Sequence, residues 1–380
     1  MKAFKFKIRK PSKAIAQRFE QTIDLCRELY NAGLQERRDA WKLNRIGISY
    51  VEQANQLGEI KTLRNDLETV HSQVLQDVLK RLDKTFKAFF GRVKKGVKAG
   101  FPRFKGKNFF DSFCFPQSGF RLTGDKLTLS KIGTVKIYLS RTMLGKVKTC
   151  TIKREVSGWF VIFTVEDEKE ILPKTGKQIG IDVGIENFAT LSDGTQIDNF
   201  KYFETSQKQL RVAQRKVSRR KKGSNQRRKA VNQLRRIHQK IKNQRSDFAH
   251  KVSTHLVNEF DLIAIEKLSI LGMSKGILAK QIHDAAWSSF FQKLKYKAEN
   301  AGRELKEVNP NGTSQTCICG ESVKKNLSVR HHHCLSCGLS VHRDIVSAKV
   351  ILKIGLGHNL RDKTYAVRQS VSLESPIHTL

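Results

Sequence analysis

Asp182, Glu266 and Asp344 are the residues whose types and surroundings point most directly to chemistry. Asp182 lies in the apolar run Gln178-Ile-Gly-Ile-Asp-Val-Gly184, and Glu266 ends another, Asp261-Leu-Ile-Ala-Ile-Glu266. Asp344 opens the helix-like stretch Arg343-Asp-Ile-Val-Ser-Ala-Lys-Val-Ile-Leu352. A carboxylate at the end of a buried strand is costly unless it is solvated, paired or bound to metal. Taken singly, each acid reads most simply as a cap on its element. Two strand ends and one helix start can together set three carboxylates at one sheet edge. That arrangement can hold two divalent metals for phosphodiester hydrolysis. Hard oxygen ligands suit Mg²⁺, and there is no dense histidine set to favour a softer ion. Asp182 would bridge both ions, with Glu266 and Asp344 each securing one. Arg343 either neutralises phosphate charge, pairs with Asp344 or lies on the surface.

A second constellation is Cys317, Cys319, Cys334 and Cys337, in the form Cys-x-Cys, fourteen residues, Cys-x-x-Cys. Four thiolates suit one structural Zn²⁺ in a closed tetrahedral site. Cys334-Leu-Ser-Cys337-Gly338 has the usual knuckle spacing, whereas Cys317-Ile-Cys319-Gly320 is one residue short. The short spacing strains that knuckle and leaves His331, His332 or His333 as a substitute ligand. Cys26, Cys114 and Cys150 are scattered and read as reduced, buried small hydrophobes.

The chain carries 72 Lys and Arg against 35 Asp and Glu, a formal net charge of +37. Such an excess repels itself unless a polyanion neutralises it; nucleic acid fits best, an anionic membrane surface less well. Between Thr205 and Ser246 there is no acid and there are 16 Lys or Arg. Arg219, Arg220, Lys221, Lys222, Arg227, Arg228 and Lys229 would meet phosphates at high density, tightly but with little sequence information. The plainer alternative is a solubilising helix. No apolar stretch approaches the roughly 20 residues of a membrane span, and the N-terminus lacks a signal-peptide core. The expected location is a reducing prokaryotic cytoplasm, associated with the nucleoid.

These residues need elements to position them. With 39% apolar residues, 380 residues can bury two or three modest cores. Residues 2 to 9 alternate as a strand with Phe4, Phe6 and Ile8 on one face. Residues 12 to 95 have helical spacing, and the glycine-rich basic segment from Gly91 to Lys107 ends that block. Strand texture returns over 109–170, at Lys126–Leu129, Val135–Leu139 and Trp159–Val165, and predicts one small barrel that includes the N-terminal strand. Over 178–203 a strand, a Ser192–Thr195 turn and a second strand form a hairpin. Gly223-Ser-Asn225 breaks the basic helical region, whose apolar side is Val231, Leu234, His238 and Ile241. A strand at Leu262–Glu266, a helix at Asp284–Asn300, a strand at Glu304–Asn309 and the Arg343 helix complete an RNase H-like order. Gly355 to Leu380 lack strong periodicity and read as a mobile tail.

The motifs Gly180-Ile-Asp-Val-Gly184, Ile265-Glu-Lys-Leu268, Thr313-Ser-Gln-Thr-Cys317, Cys334-x-x-Cys-Gly338 and Arg343-Asp344 together resemble the TnpB family. These are transposon-encoded, RNA-guided nucleases once listed as OrfB-type transposases and related to type V CRISPR effectors. Leu29-Tyr-Asn-Ala-Gly-Leu34, Gly100-Phe-Pro-Arg-Phe104, Ser218-Arg-Arg-Lys-Lys-Gly223 and Asp284-Ala-Ala-Trp287 agree. The resemblance runs from the first strand to about Leu352. It implies an α/β protein plus a small β-barrel: a wedge (OB-like) barrel at 1–11 and 98–172 and a helical recognition domain at 12–97. It further implies a RuvC-like nuclease at 173–309 and 339–354, and a zinc-ribbon insertion at 310–338 that binds target nucleic acid. The remainder, 355–380, is the tail.

The same resemblance implies a guide RNA and a double-stranded DNA target, with the protein reading a short motif beside the target. Tyr50 and Gln76 align with the positions that read that motif. Val346 and Ser347 stand where the family usually carries Asn-Ala, a loss of polarity near the metals that would lower activity. The expected activity is RNA-guided, Mg²⁺-dependent cleavage of both DNA strands, by a monomer. Two alternatives stay open: a guide-directed repressor that has lost cleavage, and an RNase H-type transposase that joins strands.

Overall fold

The computed structural model describes residues 1–166, 171–273, 276, 278–326 and 329–361. The chain divides into two compact units, Met1–Glu168 and Lys169–Leu380.

The first unit begins with β1 (Lys2–Lys7), then α1 (Lys13–Asn44), α2 (Tyr50–Asn55), α3 (Leu57–Leu63) and α4 (Ser72–Lys94). Ser12 caps α1 by accepting from the Ile15 N–H, and Ser49 and Glu52 form a capping box on α2. Apolar residues at spacings of three and four, such as Phe19, Ile23 and Cys26 on α1 and Leu75, Val78, Leu79 and Leu82 on α4, bury one face of each helix. At Gly33 a Cβ would lie 3.2 Å from both Leu79 and Leu82, so glycine sets how closely α1 packs on α4.

Strands β2 (Ser112–Phe115), β3 (Phe120–Thr123), β4 (Lys126–Leu129), β5 (Gly133–Lys136), β6 (Lys146–Glu155) and β7 (Gly158–Glu166) follow. The N-terminal strand joins them as expected, pairing antiparallel with β7 at Phe4–Phe163 and Phe6–Val161. The four helices are therefore inserted between the two edge strands, β1 and β2, of one sheet. Its order is β1-β7-β6-β2, while β3, β4 and β5 form a separate antiparallel sheet. A bridge between Ile8 and Ile137 links the two. The described pairings give two sheets rather than one closed barrel.

The second unit contains β8 (Gln178–Val183), β9 (Asn187–Leu191), β10 (Gln196–Asp198), α5 (Tyr202–Ser218), α6 (Asn225–Glu259), β11 (Leu262–Glu266), α7 (Ile270–Met273), α8 (Ala279–Ala285), α9 (Trp287–Ala301), β12 (Glu304–Val308), β13 (His331–His333), β14 (Ser340–His342) and α10 (Arg343–Gly355). The five-stranded sheet has order β10-β9-β8-β11-β12, with β8, β11 and β12 parallel and β9 antiparallel to β8. Alternation along the strands separates two faces. Ile179, Ile181, Ile263 and Ile265 pack with α6 and α9 through Leu256, Phe290 and Leu294. Ala264 packs with Ile351 of α10.

Several expectations need correction. Residues before the Ser192–Thr195 turn form two strands, because the chain reverses at Gly184, whose N–H donates to the Phe188 carbonyl. The helix expected from Asp284 is divided at Ala286, which adopts a left-handed φ of 56°. The basic region does break where expected, with Ser224 capping α6. Its seam runs through Ala230, Leu234, Ile237 and Ile241, and His238 is exposed. Of the expected tail, Gly355 closes α10 and Leu360 packs against the cluster of Ile318, Val346 and Val350. Residues 362–380 lie outside the described residues.

Candidate functional site

Gly180 and Asp182 lie two apart on β8, as do Ala264 and Glu266 on β11, and both pairs point to the α10 face. The parallel register sets Ile181 beside Ile265, so Asp182 and Glu266 follow at adjacent strand ends. α10 lies unusually close to this face: a Cβ on Gly180 would meet the Ala348 carbonyl, and one on Gly355 would stand 2.5 Å from Ala264 Cβ. Asp344 is one turn before Ala348. Burial, then the negative charges of Glu266 and Asp344, push the Asp182 carboxyl well above its ordinary range, while Arg343 pulls it down. The structure therefore brings all three acids into one electrostatic neighbourhood.

The supports differ. Glu266 is raised by burial, an effect opposed by a hydrogen bond from Thr313. The Thr313 hydroxyl reaches both the Glu266 carboxylate and the Pro310 carbonyl and donates to one at a time. Thr313 belongs to the motif Thr313-Ser-Gln-Thr-Cys317, but nothing in its local sequence reveals that it touches Glu266. Arg343 Nε donates to Asp344 Oδ1 at 3.1 Å, and its Nη1 reaches the carbonyls of Val329 and Asn326 at 3.1 and 3.3 Å. It braces Asp344.

The cysteines meet at one point. Cys317 and Cys337 sulfurs are 3.6 Å apart, those of Cys319 and Cys334 are 3.7 Å apart, and all four lie within 4.8 Å of one another. Zn–S bonds of about 2.3 Å in a tetrahedron place sulfurs about 3.8 Å apart, so the set fits Zn²⁺. Among the described residues no other group, the three acids included, forms such a tight ligand cluster.

The short knuckle works because the Gly320 N–H closes a turn onto the Cys317 carbonyl, with Gly320 at φ 88°. No histidine replaces a thiolate. His331 and His333 are exposed, and His332 Nδ1 lies 2.6 Å from Lys325 Nζ. Ile318, between the two cysteines, packs on Val346 and Val350. Val346 is thus an apolar core residue. The wholly buried Lys353 donates to the Ile318 carbonyl at 3.0 Å, tying the knuckle to α10.

The basic residues form the turn between α5 and α6. Arg219, Arg220, Lys221, Lys222, Arg228 and Lys229 are exposed. Arg227 instead braces the turn, donating to the carbonyls of Val217 and Arg220 at 2.7 and 3.0 Å. Asp284, from the motif Asp284-Ala-Ala-Trp287, is buried, accepts from the Phe203 and Glu204 N–H groups and pairs with Arg245. It caps α5 from a distant element. In the first unit, Tyr50 is half-buried at the start of α2 and Gln76 is exposed on α4. Among the described residues no helix is long and apolar enough to cross a membrane.

Fold and sites define a basic, zinc-binding mixed α/β protein with a neighbourhood of half-buried carboxylates. Three family models match: "Probable transposase" at residues 161–276, "Cas12f1-like, TNB domain" at 287–351 and "Helix-turn-helix domain" at 1–45. The last span is here one strand followed by the uninterrupted α1. A Streptomyces pristinaespiralis protein named "Putative RNA-guided DNA endonuclease" is 36% identical over 93% of this chain and 89% of its own. An Escherichia coli K12 protein, "Putative RNA-guided DNA endonuclease InsQ", is 31% identical over 93% and 92%. A solved structure titled as the mini-RNA-guided endonuclease CRISPR-Cas_phi3 is 11% identical over 95% and 93%, with a TM-score of 0.47. The chain belongs to the TnpB family of OrfB proteins, the IS605 type.

Proposed function

We propose that this protein is an RNA-guided DNA endonuclease of an insertion-sequence transposon, with a RuvC-like, RNase H-type site built from Asp182, Glu266 and Asp344. The observation that carries the reading is the meeting of the three acids at adjacent strand ends and the start of α10, where Glu266 and Asp344 raise the Asp182 carboxyl. At Asp182 the nearby charges of Glu266 and Asp344 oppose ionisation, and Arg343 and the Val183 backbone N–H offset part of that repulsion. Divalent cations offset such repulsion, and oxygen ligands favour Mg²⁺. When bound, two such ions would supply Lewis acidity at the scissile phosphate and a nucleophilic water. Asp182, Glu266 and Asp344 would together hold the ions. Thr313 orients Glu266 and Arg343 orients Asp344, so that the ligands are set before substrate arrives.

The sheet order, with a hairpin beside the first parallel strand and α10 across it, supports the RNase H-type assignment. The first unit's sheets and helices correspond to the wedge and recognition parts of the family's plan, with the target-adjacent motif read near Tyr50 and Gln76. The zinc module, 310–338, supports the catalytic edge through Ile318 and Lys353. The names of the two full-length relatives, together with the exposed basic turn, support RNA and duplex DNA as partners. Cleavage of a guide-matched duplex by the purified complex in Mg²⁺ tests the reading. Binding without nicking, unchanged by Asp182→Ala, would instead indicate a repressor, and strand-transfer products a transposase.

A further inference from the structure

In the first unit, α1, α4 and the segment leading to Phe101 enclose a groove of about 790 Å³. Its wall is aromatic: Trp41, Phe86, Phe89, Phe90 and Phe101. Phe101 stands edge-on to Phe86 and Phe89, with centroids 5.7 and 5.5 Å away, while Phe86 and Phe90 lie nearly parallel at 6.2 Å. Burial accounts for Phe86 but not for Trp41 or Phe90. Trp41 is 54% exposed and Phe90 59%. Cations are interleaved with them: Arg37, Arg38, Lys42 and Lys87 line the groove against one carboxylate, Asp83. Asp83 is already paired with Arg37 at 3.3 Å and Lys87 at 2.9 Å. Arg37 is 8% exposed, and its Nη2 has no hydrogen-bond partner, an orphan donor at the groove's wall.

A ligand that satisfies this lining has a flat apolar face, polar acceptors and negative charge. A hydrocarbon would leave the cations and the orphan donor unmet, and a folded duplex would offer no base face. We propose that the groove stacks an unpaired nucleobase of RNA, with Trp41 and Phe90 as the platform and Arg38, Lys42 and Lys87 meeting the adjoining phosphates. RNA is the source because its loops and bulges expose bases that duplex DNA keeps stacked. The choice of RNA rests on the guide-RNA reading above.

The full-length chain, freed of nucleic acid at high salt, is titrated with octauridylate while tryptophan fluorescence is followed. Trp41 is the exposed tryptophan, whereas Trp287 is buried and Trp159 lies partly buried against the core. Saturable quenching is expected, and affinity, read in the variants by the anisotropy of fluorescein-labelled octauridylate, falls about tenfold in Trp41→Ala or Phe90→Ala and is unchanged in Phe90→Tyr. The salt dependence of binding should stay the same in both alanine variants, because neither removes a phosphate contact. Both side chains are solvent-facing, and unchanged melting temperatures confirm that the variants fold. Wild-type affinity in both alanine variants, or equal quenching by duplex RNA, overturns the proposal. Stronger quenching by octathymidylate overturns the choice of RNA. Guided cleavage with no quenching would defeat the groove alone; quenching in a chain that never cleaves would defeat the endonuclease reading and leave the groove standing.

Discussion

The α-carbon of Gly180 lies so close beneath the Ala348 carbonyl oxygen that a methyl group there would stand 2.1 Å from it. No other residue lets α10 approach β8 this closely, and Asp344 rides on the same helix. Gly180→Ala must therefore push α10 away, costing about 3 kcal/mol or more in overpacking. A displacement of about 1 Å at the acids should lower cleavage on the order of 100-fold. Urea unfolding beside a single-turnover cleavage assay checks both, and an unperturbed variant refutes the packing argument.

Asp182 carries the pH prediction. Its folded carboxyl sits well above the ordinary value of 3.8, through burial and the charges of Glu266 and Asp344. The folded metal-free chain therefore keeps a proton that the unfolded chain has released. The associated stability is complete below about pH 3.8 and is lost as pH rises through the elevated folded value. Asp182→Asn removes that loss. Its metal-free melting temperature at about pH 7 should exceed the wild type's, Mg²⁺ should no longer raise it, and cleavage should fall on the order of 10³-fold. Melts at about pH 5 and pH 8, with and without Mg²⁺, decide the matter.

Thr313 is expected to act through Glu266. Thr313→Val should leave the fold intact and weaken divalent-ion affinity or cleavage by about 10- to 100-fold. Raising the Mg²⁺ concentration should recover part of the rate. A rate loss indifferent to Mg²⁺ would contradict this role.

The zinc site and α10 should respond together. Cys319→Ser should reduce bound zinc from one ion per chain to none, read by elemental analysis, and expose α10 amides to hydrogen exchange. Lys353→Met leaves the Ile318 carbonyl without that donor and should cost about 1–3 kcal/mol while zinc is retained. Protection of α10 that is unchanged in both variants would show that the knuckle and helix are independent.

Asp284 has a structural role. Asp284→Ala abandons Arg245 and two N–H groups at the start of α5, at a cost of about 2–4 kcal/mol. Activity per folded molecule should be retained at low temperature. Loss of catalysis without loss of stability would contradict the assignment as a cap.

Much of this was legible in the chain because it is local. Continuous apolar runs marked β8 and β11, three- and four-residue spacing marked α1 and α4, and the cysteine spacing marked the metal site. What escaped depends on partners distant in sequence. Thr313 meets Glu266 across 47 positions, and Lys353 meets Ile318 across 35, and neither contact leaves a local pattern. Ala286 divides a helical pattern by adopting a left-handed conformation that its identity disfavours. The strands of the first unit alternate as expected, but alternation does not specify which edges pair, and they separate into two sheets. The aromatic groove was likewise hidden, since its rings come from the end of α1, the end of α4 and the segment beyond it.

Anomalous scattering from Mn²⁺ soaked into crystals of the protein–RNA complex tests the central claim most directly. The account predicts manganese within coordination distance of Asp182, Glu266 and Asp344 together, absent from Asp182→Asn crystals. Manganese bound elsewhere, in a complex that still cleaves its matched target, would contradict it.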